Sequence, residues 1–109
     1  MGTEPTLQQV FGANATQTST TLTITKADLL TLTPQTSNTA EALFTAILLT
    51  AKNYLTTANQ NSNDSQSITI ADGYVPSFVV RDNITYRQDD ITVSLQKAAG
   101  SVAIDADDY

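Results

Sequence analysis

Apolar positions along this chain keep two different periods, and the change between them divides it into a helical first half and a strand-rich second half. From Thr20 to Thr25 they alternate, with Leu22 and Ile24 on one side and threonines on the other, which predicts a half-buried strand over 20–25. From about 39 to 58 they recur at helical spacing. Ala40, Leu43, Phe44, Ile47, Leu48, Ala51, Tyr54, Leu55 and Ala58 form one stripe, opposite Glu41, Thr45, Lys52, Asn53 and Thr56. Asn38 followed by Glu41 has the spacing of a capping box at its start. Leu49 falls on the polar side of this helix, an exception that marks a candidate contact.

The polar run Asn59 to Ser67 carries no apolar residue and reads as a mobile loop. Short alternating segments follow, and they predict strands over 67–71, 75–81, 84–88, 91–97 and 101–104 in a meander. Asp72-Gly73 suits a hairpin turn. Pro76 has no N–H for a ladder, so it belongs at an edge or in a bulge. A bulge at Pro76-Ser77 would bring Val75, Phe78 and Val80 to one face. A three-residue loop, Arg81-Asp82-Asn83 with Asn83 left-handed, would pair Val80 with Ile84 and Phe78 with Tyr86. Asp89-Asp90 would make the next turn. Near the start, Leu7, Val10 and Phe11 fit one helical turn that Pro5 opens and Gly12 ends.

Together these elements predict one α+β domain over residues 1–109, with a partly flexible segment at 1–19 and a flexible acidic tail at 105–109. One amphipathic helix would cover one face of a mostly antiparallel sheet of five to six short strands. The other face, with Thr69, Val79, Thr85, Arg87, Thr92, Ser94 and Gln96, would meet solvent.

Composition narrows the chemistry. The chain has no histidine, cysteine or tryptophan, and about one residue in six is threonine, far above ordinary usage. Without imidazole or thiolate, the usual routes to near-neutral proton transfer, thiol attack and zinc ligation are closed. The four glycines are too far apart for a phosphate-cradling loop. Asp89 and Asp90 would diverge in an extended strand, so they read as turn residues rather than a catalytic pair. No cofactor is expected. The tail acids Asp105, Asp107 and Asp108 read as a solvated segment rather than a calcium site.

A formal charge of −6, with Lys26, Lys52, Arg81, Arg87 and Lys97 dispersed, argues against nucleic-acid and anionic-membrane partners. No membrane-length apolar run and no signal-peptide pattern is seen, so a cytoplasmic or particle-associated location is expected. Arg81, Tyr86 and Arg87 are the one combined cationic and aromatic cluster. With Leu49 they are the candidate partner contacts. The expected function is a non-catalytic structural, assembly or protein-interaction module, such as a small component of a phage-like or other bacterial particle. Its partner would be another protein or the chain itself. The alternative is a small-molecule or glycan-binding module on the polar sheet face, resting on Tyr74 and Tyr86.

Overall fold

Threonine hydroxyls start all three α-helices among the described residues. In the computed structural model, which describes residues 4–97 and 103–109, α1 spans Leu7–Phe11, α2 Ala40–Tyr54 and α3 Thr57–Asn61. Thr6, Thr39 and Thr56 stand at their N-caps, each accepting from the backbone N–H three residues on. In α1 the Gln9 side chain also reaches back to the Thr6 N–H, completing a capping box. The capping box expected from Asn38 is not the one used. Asn38 braces the preceding loop instead, accepting from the Gln35 N–H and donating to the Thr33 carbonyl.

The fold is α+β, and the strands among the described residues form three antiparallel two-stranded ribbons. β1 (Thr16–Gln17) pairs with β2 (Leu22–Thr23). β3 (Ile68–Asp72) pairs with β6 (Ile91–Leu95). Between these two in sequence, β4 (Ser77–Arg81) and β5 (Ile84–Gln88) form a hairpin of their own. The expected sequential meander is therefore replaced by a nested arrangement. Ladder β3–β6 continues through the Gly73 N–H to Asp90 carbonyl bond (2.8 Å), and the four residues 73–76 then oppose only 89–90. This enlarged bulge leads into the hairpin. Asp72 is thus still paired, with Ile91, and Gly73 and Asp89-Asp90 lie at a bulge rather than in two turns. An added Cβ at Gly73 would lie 2.9 Å from the Asp90 carbonyl oxygen, which explains the glycine there.

The core is small and lies where the C-terminal half of α2 meets β3. Ala51, Leu55 and Ile70 are buried, and Val10, Leu48, Tyr54, Ile68 and Ile91 pack on them. From the apolar stripe of α2 this cluster takes the second half. Phe44, expected inside, is exposed, while Ala46 and Thr50 of the same helix are buried. Thr50 Oγ1 donates to the Ala46 carbonyl and accepts from the Leu30 N–H, which ties the chain at Leu30 to the helix.

The polar run 59–67 holds regular structure at its start. It contains the end of α3 and a turn held by amides. Gln60 Nε2 donates to the Gln66 carbonyl, and the buried Gln66 side chain donates to the carbonyls of Thr56 and Ile68. The helix expected over 39–58 accordingly breaks at Leu55-Thr56 and restarts as α3. Thr69, expected on the solvent face, is buried. Of the strand expected over 101–104, residues 101–102 lie outside the described residues and 103–104 are not in a strand. No helix among the described residues is long and apolar enough to cross a membrane.

Candidate docking site

The hairpin β4–β5 turns at Asp82-Asn83, both left-handed with φ of 52° and 62°. Two consecutive positive φ values make a type I′ turn, whose twist matches the strands it joins. The loop is therefore two residues long, not three, and the register moves accordingly. Val79 pairs with Tyr86, Phe78 with Arg87 and Val80 with Thr85. Period-two alternation then sorts the side chains into two faces. One carries Phe78, Val80, Thr85 and Arg87, and the other Val79, Arg81, Ile84 and Tyr86.

Neither face is covered. Phe78 is 75% exposed, Val80 69% and Ile84 55%. At the bulge Tyr74 and Val75 project further still. The expectation that Val75, Phe78 and Val80 face the helix is thus corrected. A bulge does fall beside Pro76, but it carries this hairpin away from α2 instead of folding it back. Seven of the thirteen large exposed hydrophobic residues among the described ones, Tyr74, Val75, Phe78, Val79, Val80, Ile84 and Tyr86, lie on this arm.

Three of the four contacts expected from sequence are brought together here. The Arg81 guanidinium lies 4.4 Å from the Tyr86 ring centroid, a cation–π contact between diagonal neighbours of one face. These two line a hollow of about 270 Å³ with Val79, Arg87 and Gln88. Arg87 also pairs with Asp89 (Nη2 to Oδ1, 3.1 Å), an exposed ion pair worth under about 1 kcal/mol. Leu49 sits apart on α2, half-buried. It shares with Arg87 a cleft of about 500 Å³ between the helix and the base of the arm, bordered by Asp72, Tyr74, Asp89 and Asp90. Lys52 of α2 meets Asp72 at 2.6 Å and holds the helix to that base.

Sequence reasoning missed Phe78, Val80, Val75 and Ile84 as surface residues. The signal for them was present. Phe78-Val79-Val80 is a continuous apolar run, the mark of a strand buried on both faces, and a sheet with one solvated face cannot accommodate it. Asp105 accepts from the Asp107 N–H to start a 3-10 turn at Ala106–Asp108, and Tyr109 lines an apolar hollow with Val10, Phe11, Leu55 and Ile68. Comparison with protein-family models, with curated proteins and with solved structures finds no match to this chain.

Proposed function

We propose that this chain is a non-catalytic assembly subunit that engages a protein partner through its β4–β5 arm, as a small component of a phage-like or other bacterial particle would. The observation that supports this reading is an apolar ribbon held in solvent with both faces open. A two-stranded hairpin is marginal by itself in water. A single protein seldom leaves so contiguous an apolar surface unless something covers it. Complete burial of a Val, Ile or Phe side chain stabilises by about 1.5–3 kcal/mol. Four such residues, Phe78, Val79, Val80 and Ile84, supply on the order of half that maximum on docking, because they are already partly covered in the free chain. Association costs at least about 4 kcal/mol, so these four side chains offset its lower bound and the apolar surface of the partner must supply the rest.

The glycan-binding alternative is less well supported. One face of the Tyr86 ring is occupied by Arg81, which leaves Tyr74 as the other ring for stacking. The test is photo-cross-linking in the cells that make the protein, with a photoreactive residue at position 80 and, as a control, at position 20. Covalent adducts to protein at position 80 and none at position 20 are expected. Equal or absent labelling at the two positions would remove the reading.

A further inference from the structure

We infer that the partner of the arm is a second copy of this chain, joined edge to edge through β4 across a twofold axis at Val79. This rests on the docking role proposed above and assigns its occupant. The first argument is register. The pair flanking the type I′ turn, Arg81 and Ile84, closes the turn through its backbone bonds, so alternate residues, Val80 and Phe78, turn their N–H and C=O groups away from β5. An antiparallel copy centred on Val79 sets Phe78 against Val80 of the second copy, and Val80 against its Phe78. The outward-turned groups of both strands are then directly opposed, as a ladder requires. Val79 meets its own equivalent, and Ser77 meets Arg81. No like charges face each other.

Strand β5 offers a poorer edge. The same construction centred on Tyr86 opposes Thr85 with Arg87 and Ile84 with Gln88, without an apolar pair in its ladder apart from Tyr86 itself. Pro76, just before β4, limits the pairing to the arm, since it cannot donate beyond it. The product is a four-stranded sheet in the order β5, β4, β4, β5. Phe78 and Val80 of both chains are contiguous on one face, with Val79 and Tyr86 of both on the other.

Charge and area point the same way. Residues 77–88 carry Arg81, Arg87 and Asp82, a net +1, so the rest of the −6 chain carries −7. Antiparallel arms keep the two acidic bodies at opposite ends of the sheet. They also bring Arg81 of each chain beside Ser77 of the other, next to the cleft edged by Asp72, Asp89 and Asp90. The chain exposes 8133 Å². A compact protein of its 11.6 kDa mass exposes about 5,800 Å², roughly 2,300 Å² less. That excess is summed over the whole chain, and a stable dimer covers only about 800 Å² of it per partner.

Because the chain has no cysteine, a single introduced thiol reports on the pairing without background. In the proposed dimer the Val79 pair is a non-hydrogen-bonded pair with Cα atoms about 4.5 Å apart, within disulfide reach. Under mild oxidation the full-length Val79→Cys chain should form disulfide-linked dimers at least roughly tenfold faster than Tyr86→Cys or Thr20→Cys at equal concentration. Sedimentation equilibrium should show the wild-type chain as a dimer. Val80→Lys should be a monomer with an unchanged circular dichroism spectrum. Equal cross-linking rates at positions 79 and 20, faster cross-linking at 86, or a wild-type monomer at the highest attainable concentration would each overturn the inference. If the wild-type chain is a monomer while position 80 still captures a different protein in cells, self-pairing falls and the assembly role stands. If position 80 captures nothing, both fall.

Discussion

Gly12 stands where α1 must end, and its φ of 111° lies in the region that favours glycine. An added Cβ would come within 2.8 Å of Asp28 Cβ, and the Asp28 carboxylate accepts both from the Asn14 N–H and from its side-chain amide. Gly12→Ala therefore combines backbone strain with displacement of that acceptor. We expect a loss of about 2–3 kcal/mol, read as a lower urea midpoint at constant slope. Thr50 makes the opposite kind of test, since its shape is dispensable and its oxygen is not. Thr50→Val leaves the Leu30 N–H without its partner in a part-buried position and should cost about 1–3 kcal/mol, while Thr50→Ser keeps the oxygen and should lose less. Chemical denaturation of the two variants side by side distinguishes them. Gly12 was legible in the sequence as a helix stop because the local signal is complete within six residues. The role of Thr50 was not, because its partner is twenty residues away and helical periodicity cannot rank a buried threonine.

Elements were legible as far as their own pattern decides them. The stripe of α2 identifies Ala51 and Leu55 correctly, because β3 and α1 pack on that side. It misplaces Phe44, because the arm that would have covered the N-terminal half leaves the body at the 73–76 bulge. The same limit applies to turns. Asp72-Gly73 is compatible with a hairpin or with a bulge, and only the pairing of β3 with the distant β6 chooses between them. Asp82-Asn83 is the contrary case: both residues tolerate positive φ, and the turn falls where the sequence put it, one residue shorter. Asn83 bears a strain that glycine would not. Asn83→Gly should close the arm more tightly by about 0.5–1 kcal/mol. The gain should appear as slower hydrogen exchange of the β4 and β5 amides, with the global unfolding midpoint unchanged. Residues 77–88 contribute nothing to the core cluster, so a local opening equilibrium and the global one are separate here. A shift of the global midpoint by the same amount would show instead that arm and body open together.

At the scale of the whole molecule, shape separates what folds the chain from what the arm is for. The radius of gyration is 16.3 Å and the long axis 50 Å, where a compact chain of this length has a radius of about 13 Å. The body contains the buried residues of the core cluster, and the arm contains the exposed apolar surface. If that division is right, the arm can be removed without unfolding the rest. The Gly73 N–H and Asp90 carbonyl are already bonded across the ladder, so replacing residues 74–89 by Asn-Gly closes β3 and β6 with a two-residue hairpin turn. The shortened chain should keep its helical circular dichroism and a thermal midpoint within a few degrees of the parent monomer. In solution scattering its radius of gyration should drop to about 12–13 Å. It should also remain monomeric at every concentration at which the full chain associates. A midpoint lowered by tens of degrees would mean that the arm carries folding stability, and its apolar residues would then need no partner to explain them. Retained stability with retained association would move the contact surface elsewhere, most directly to Phe44 and Leu49 on α2. Retained stability with lost association is the outcome that the two-sided apolar ribbon demands, because a surface that stabilises nothing within its own chain must find its cover in another.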